Sequence, residues 1–374
     1  MRSYGRVMSS SAVLLDAGPT IEIDHPARVR RLVSEVGQRA LAVTDLTALR
    51  WLTGFESSHG WAVIRDGSLW VGTAGRYGAK AAAETAGTGA ELIVEQDRAT
   101  LRSRMVELLG GVPVLVDSAS MTHGAWSSLL DAGLDLVDTP SMVMAHRTIK
   151  DAAEIERMEL AAGYADAALA EVEPMIAPGV SELDLRAELE YRMVRLGADA
   201  RSYATIVSSG PVHGARPHHG ASRRRLEAGD TLIIDVGGLV AGYHSDMTRS
   251  WVVGEASAEQ RATYQLVVES HAAGLAMARP GESVRAVDAA CRDVFAAAGR
   301  LDEFLHGTGH AVGLEVHEQP FVNQAGDGEL AAGMVVTVEP GLYRGDFGGF
   351  RIEDLVLITE SGHRVLTHSP KREL

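Results

Sequence analysis

The chain has 374 residues and a formal net charge of −15, with 46% of its residues apolar and 23% charged. That length favours two domains over one core, and the composition is that of a globular protein with ample material to bury. The acidic balance disfavours nucleic acid, whose phosphates want a basic face, and no run of about 18 apolar residues is present to span a membrane. The single cysteine, Cys291, excludes an internal disulfide framework and suits a reducing compartment. The N-terminal stretch holds arginines but only Ala12–Leu15 as an apolar run, too short for a signal peptide, so a cytoplasmic location is expected.

From Pro26 to about Thr139, helical and strand signals alternate. "ARVRRLVSEVG" has helical periodicity, "ALAV" at Ala40–Val43 is a short strand, and "WAVIRDGSLWVGT" is a hairpin turning at Asp66-Gly67. "AKAAAETA" follows as helix, "ELIVEQ" as strand, "TLRSRMVELLGG" as helix and "VPVLVD" as strand. "SSLLDAG" is helical and "LDLVDT" closes the series as a strand. The alternation predicts a layered α/β domain over residues 20–145, in which no chemical cluster is visible. "TIKDAAEIERMELAAGYADAALAEV" then opens a second domain, residues 146–374, with a long amphipathic helix. Asp151 and Glu154 have the capping-box spacing, and Ile155, Met158, Ala162 and Leu169 fall on one face.

The second domain repeats itself. "PGVSELDLRAELEYRMVRLGA" from Pro178 and "PGESVRAVDAACRDVFAAAGR" from Pro280 both open on Pro-Gly, carry serine at the fourth position, and close a helical pattern on glycine (Gly197, Gly299). Downstream, "AGDTLIIDVGG" from Ala228 matches "AGMVVTVEPG" from Ala332, which sets Asp235 on Glu339 and Gly237 on Gly341. Each is followed by a turn and a second strand with another acid, Asp246 in "SDMTRSWVV" and Glu353 in "RIEDLVLIT". Two copies offset by roughly a hundred residues predict two similar α+β halves related by a pseudo-twofold.

Asp235 and Asp246 bound "DVGGLVAGYHSD", beside the apolar strand Leu232-Ile233-Ile234, where Gly237 and Gly238 would let the hairpin bend. A lone buried charge there costs on the order of several kcal/mol unless something pairs with it. The pseudo-twofold brings Asp235, Asp246, Glu339 and Glu353 together, and four carboxylates in one place cannot all stay ionised without cations. "HGTGHAVGLEVHEQP" adds His306, His310 and His317 between the two hairpins, with "GLEVHE" reading as a short strand; "VHGARPHHG" offers His213, His218 and His219 before the first. Any one of these acids is ordinarily a solvated strand end, and any one histidine ordinarily structural. The repetition of the acids and the clustering of the rings oppose that reading. Two divalent cations satisfy the charge, and an oxygen-rich set with one nitrogen favours Mn²⁺, with Co²⁺, Fe²⁺ or Zn²⁺ able to substitute. Such a pair makes hydroxide from a bridging water near neutral pH, able to attack a carbonyl, while other histidines orient substrate and stabilise the oxyanion.

"IIDVGGLVAGYHSDMTRSW", "HGTGHAVGLEVHEQP", "TVEPGLY" and "FRIEDLVLI" together resemble the pita-bread metallopeptidases, a family that includes aminopeptidase P, prolidase and methionine aminopeptidase. "DLTALRWLTGFESSHGWAVI" is similar to the creatinase-like domain that precedes the catalytic one in prolidases and aminopeptidases P. The resemblance implies an α+β pita-bread catalytic domain with an internal pseudo-twofold, preceded by an α/β creatinase-like domain. It implies that Asp235 binds one metal, His310 and Glu339 the other, and that Asp246 and Glu353 bridge both. Glu339 matches the family's proton shuttle, His218 the histidine at the substrate's scissile region, and His317 the one that binds the carbonyl oxygen. His306 and Arg351 match positions that support the ligands or touch substrate. The implied reaction is hydrolysis of the Xaa-Pro imide bond of dipeptides or short peptides, by a homodimer or homotetramer.

Three departures stand out. "SGPVHGARPHHG" has one extra residue and puts His213 where the family has asparagine; Arg216 fills a slot usually apolar; Ala311 replaces a frequent glycine or serine. Arg216 is therefore expected to bind a substrate carboxylate, which would favour dipeptides or another small acid. The same loop keeps open a second reading, the same metal site acting on a non-peptide amide or another small metabolite. A metal-free creatinase-like hydrolase and a non-catalytic binding protein are both opposed by the complete ligand set.

Overall fold

A computed structural model describes residues 18–140 and 142–374. The chain divides into two compact units, Ile23–Arg147 and Thr148–Leu374, the latter including residues 18–22. Among the described residues no helix is long and apolar enough to cross a membrane.

The first unit is built on strands β1 (Ala40–Val43), β2 (Gly60–Arg65), β3 (Ser68–Ala74), β4 (Glu91–Glu95), β5 (Val114–Val116) and β6 (Leu136–Asp138), in the order β4-β3-β2-β1-β5-β6. The β2–β3 hairpin turns at Asp66 (φ 47°) and Gly67 (φ 80°), the paired left-handed residues that a two-residue turn matching strand twist requires. Helices α1 (His25–Val36), α2 (Leu46–Thr53), α3 (Gly78–Glu84), α4 (Arg98–Leu109) and α5 (His123–Asp131) complete the unit. Asp24, Asp45, Asp97 and Thr122 cap α1, α2, α4 and α5 through side-chain oxygens. Leu101, Met105 and Leu109 of α4 pack on Ala40, Ala42 and Val63 of the sheet. Helix α2 is the element that the alternation leaves unannounced; it starts at Asp45 and stops at Gly54, left-handed at φ 79°.

Helix α6 (Met142–Thr148) closes the first unit, and the second opens on α7 (Ala152–Val172), whose Asp151–Glu154 capping box forms as the spacing predicts. The helix is not amphipathic. Met158 and Leu169 are buried on one side, but so are Leu160, Tyr164 and Ala168, while Ile155 is only half-buried. It lies against α8 (Glu182–Leu196), β10 (Gly238–Val240) and β11 (Tyr243–His244), so apolar residues are required all round.

The two halves repeat in space. Strands β7 (Ala200–Arg201), β8 (Ile206–Ser209), β9 (Thr231–Asp235) and β12 (Thr248–Val252), with the short helix α9 (Gly210–His213), form the first half. After α10 (Ala258–Met277) and α11 (Val284–Ala297) come β13 (Gly309–Ala311), β14 (Glu318–Val322), β15 (Val335–Val338), β16 (Gly341–Arg344), β17 (Gly348–Arg351), β18 (Asp354–Ile358) and β19 (His363–Val365). The orders β12-β9-β8 and β18-β15-β13 correspond, and all these pairings are antiparallel. Isolated bridges at Ser181–Arg225 and Ser283–Glu329 mark equivalent points ahead of α8 and α11. Thr248 faces Asp235 and Asp354 faces Val338, so each hairpin brings its two acids to the same end.

"GLEVHE" does not form the short strand its composition suggests. Residues 313–317 fold as a turning loop, with the Gly313 amide bonded to the Glu315 carbonyl (3.0 Å), and β14 begins only at Glu318. The loop follows a bulge between His310 and Ala311.

Gly237 shows how tightly the first hairpin is set. A Cβ there would lie 1.9 Å from the Ser245 carbonyl oxygen, next to Asp246. Gly237→Ala is expected to lower the unfolding free energy by about 2 kcal/mol in denaturant titration, because backbone and not a flexible side chain must move; an unchanged midpoint would contradict this packing.

Candidate metal centre

Asp235 ends β9, a strand whose Thr-Leu-Ile-Ile run is wholly buried, and Asp246 precedes β12. Glu339 follows β15 and Glu353 precedes β18. Together with Tyr203, Ile206, Pro217, His218, His306, His310, Val316, His317, Phe321 and Arg351 they line one cavity of about 380 Å³. The cavity thus gathers Asp235, Asp246, Glu339, Glu353, His218, His306, His310, His317 and Arg351. It does not gather Arg216, which is exposed and gives its amide to the His213 carbonyl (3.0 Å).

His310 is oriented by its own backbone. Nδ1 lies 3.1 Å from the Ala311 carbonyl, so the donor tautomer on that side leaves the Nε2 lone pair facing the acids, 3.5 Å from Glu339 and 3.7 Å from Asp246. Burial holds its pKa down to about 4, which keeps the ring neutral and able to ligate. One ligand atom each from Asp246, His310 and Glu353 falls within 4.8 Å of the others.

The carboxylates are mutually destabilised as anions. Burial, then the charges of Asp235 and Glu339, push Asp246 well above the usual carboxylate range. Burial, then Asp246 and Glu339, do the same to Glu353. Burial raises Glu339 to about 7 against the pull of Arg351. The protein's own donors compensate in part. Arg351 gives Nη2 to Asp235 (2.6 Å) and Nε to Thr248 (2.9 Å), while Thr248 gives its hydroxyl to Glu353 (2.7 Å). The Tyr203 hydroxyl sits against both Asp235 and Asp246.

The remaining histidines differ in setting. His306 is spanned by the Gly307 carbonyl (2.7 Å) and the Tyr343 hydroxyl (2.8 Å), and burial lowers it to about 3. His317 is exposed on the cavity wall, its ring 4.4 Å from that of His310, and loss of solvent around the ring followed by the charge of His218 lowers its pKa. His218 is exposed at the rim. Tyr203 and Tyr343 escaped sequence reasoning. Neither repeats between the halves, and an isolated tyrosine carries no spacing signal.

The donor set fits divalent cations on its own chemistry. Oxygen donors dominate, one neutral imidazole faces them, and burial with mutual repulsion raises the pKa of Asp246, Glu339 and Glu353, a cost that bound cations would relieve.

Comparisons with known proteins agree with this chemistry. Residues 156–360 match the sequence model of metallopeptidase family M24, and residues 27–149 match that of the creatinase/prolidase N-terminal domain. An uncharacterized peptidase of Bacillus subtilis is 38% identical over 348 residues, 92% of this chain and 98% of that protein. An Xaa-Pro dipeptidase of Pyrococcus furiosus is 42% identical over 228 residues, 61% of this chain and 65% of the relative. Among solved structures, an Xaa-Pro dipeptidase from Bacillus anthracis superposes with a TM-score of 0.87 at 33% identity, covering 94% of this chain and 99% of that one. Prolidase from Pyrococcus furiosus superposes at 0.84 with 29% identity, covering 91% and 99%.

A stability profile follows from the raised carboxyls. Glu339 titrates near 7 in the folded chain against 4.5 for a free glutamate, so its contribution is present below pH 4.5 and lost as pH rises towards 7. Asp246 and Glu353 share that sign. Chelator-treated protein is therefore expected to lose thermal stability between about pH 4.5 and 7, and added Mn²⁺ to raise Tm more at pH 8 than at pH 5. Differential scanning calorimetry at the two pH values checks this; an equal shift at both would contradict it.

Proposed function

The chain belongs to metallopeptidase family M24, and from that membership we propose that it is an Xaa-Pro dipeptidase, hydrolysing the imide bond before proline in dipeptides or short peptides. The observation that carries this reading is the convergence of four carboxylates, a neutral His310 and His317 on one cavity. Relatives that bear the name Xaa-Pro dipeptidase supply the substrate class.

Asp235, Asp246, His310, Glu339 and Glu353 would hold the metal ions. Two divalent ions, most readily Mn²⁺, would supply Lewis acidity and an acidified water. The protein's residues do the rest. Glu339 accepts a proton from the attacking water and returns it to the proline nitrogen as the C–N bond breaks. His317 offers a ring N–H to the carbonyl oxygen as it gains negative charge, and His218 at the rim contacts the scissile region. Arg351, fixed on Asp235, Tyr343 (3.0 Å) and the Pro217 carbonyl (2.9 Å), holds the acids and the rim in register. With one free, buried cysteine, Cys291, the chain suits a reducing compartment, and kinship suggests a homodimer or homotetramer.

The second reading, a non-peptide amide, loses its support. It rested on the altered loop, whose Arg216 is exposed outside the cavity and whose His213 bonds to Glu182. Arg216 is correspondingly a weak candidate for the substrate carboxylate.

With Mn²⁺, Ala-Pro is expected to be cleaved and Ala-Ala left intact, with Ala-Pro-Ala separating a strict dipeptidase from an enzyme that accepts longer peptides. His317→Ala is expected to lower kcat/KM by about 10²-fold, the cost of losing one oxyanion donor. No cleavage of any Xaa-Pro peptide with Mn²⁺, Co²⁺, Fe²⁺ or Zn²⁺ would overturn the reading.

A further inference from the structure

Residues 210–222 form the loop that carries His218 to the cavity wall, and the loop leaves from and returns to one buried side chain. Glu182, in the first turn of α8, is fully buried. It accepts the amide (2.9 Å) and hydroxyl (2.7 Å) of Ser209 at the loop's start, and the amide (3.1 Å) and hydroxyl (2.7 Å) of Ser222 at its end. The middle of the loop reaches the same carboxylate through His213, whose Nδ1 lies 3.0 Å from both Oε1 and Oε2. Since a carboxylate only accepts, Nδ1 is the donor.

The pair is braced on both sides. The His213 ring lies 4.1 Å from that of His219, next to His218, and the Ser208 hydroxyl holds the His219 carbonyl (2.6 Å). Arg224 grips Asp230 at 2.6 and 3.0 Å and gives a further bond to the Ser209 hydroxyl (2.7 Å). Gly210 sits at φ 66°, a left-handed conformation that strains any side chain, and a Cβ there would press on Arg224 (2.5 Å) and Asp230 (2.6 Å) and disturb their pairing. The hydrogen bonds from Ser209, Ser222 and His213 offset the burial of Glu182 and hold it below the usual carboxylate range. Loss of the His213 bond would leave the middle of the loop without its tie to α8.

We propose that Glu182 and His213 form a latch that sets His218 against the substrate, making His213 a positioning residue for the reaction. This rests on the assignment of His218 to the scissile region. It also gives His213 a purpose: its ring spans the distance from the loop to Glu182.

Two measurements on the Mn²⁺-loaded protein test the latch. In hydrogen exchange, His213→Leu is expected to speed exchange across 210–222 by about tenfold or more, as local opening does when a tether is lost, with other segments unchanged. His213→Asn, whose Nδ2 occupies the place of Nδ1, is expected to restore protection. In a double-mutant cycle on Ala-Pro, His213→Leu should lower kcat/KM by roughly 10–100-fold in the native background but by less than about 3-fold beside His218→Ala. A residue of merely structural importance would give losses that multiply and would not be rescued by asparagine. Should the leucine variant not fold, His213→Ala replaces it in both arms. Unchanged exchange across 210–222, or independent losses in the cycle, would overturn the latch. If the wild type cleaves no Xaa-Pro peptide, the proposed reaction fails, and the exchange arm still decides the latch.

Discussion

Asp235, Asp246, Glu339 and Glu353 stand in one pocket, shielded from water and close enough to repel. Removing even one carboxylate from solvent costs on the order of several kcal/mol, and gathering four compounds the cost, because each charge raises the others' pKa in a low dielectric. The surrounding structure is arranged against that cost. Arg351 neutralises Asp235, Thr248 donates to Glu353, and Tyr203 bonds to both aspartates of the first hairpin. What these donors leave uncompensated is taken up by protons or by cations, and the affinity for cations is therefore inseparable from pH.

The duplicated fold is the means of delivering the acids. Each half places one acid at the end of a buried strand and another before its antiparallel partner, so that two hairpins suffice to bring four carboxylates to one end. Each half also uses a helix carboxylate to fix the segment leading into the site. In the first, Glu182 holds Ser209 and Ser222; in the second, Asp288 holds the amide (3.1 Å) and hydroxyl (2.9 Å) of Thr308. Asp288 also binds Arg292, which reaches the His306 carbonyl (2.7 Å). Rigid mounting of the rings on both sides of the cavity suits a reaction that needs donors placed before charge develops.

Much of this was legible in the residues because repetition is a strong signal. The match of Asp235 with Glu339, and of Asp246 with Glu353, depends only on register along the chain, which the repeated Ala-Gly, apolar run and following glycine set. Pairings across the fold were not legible. Tyr203 meets Asp235 and Asp246 only through tertiary contact, and Glu182 is an ordinary-looking acid in a capping turn. Arg216 drew attention as a charge in an apolar slot, yet it is exposed, while His213 turns towards α8. "GLEVHE" alternates like a strand, but the bulge after His310 and the turn at Gly313 redirect the chain and leave His317 at the cavity wall.

The central claim is that the four carboxylates and His310 hold two divalent cations in exchange for protons. Calorimetric titration of the chelator-treated chain with Mn²⁺, repeated at pH 6 and pH 8 in buffers of different ionisation enthalpy, measures both quantities together. The account predicts two ions per chain, with proton release greater at pH 6 than at pH 8. Binding of no ion, or of ions with no release of protons at pH 6, would contradict it.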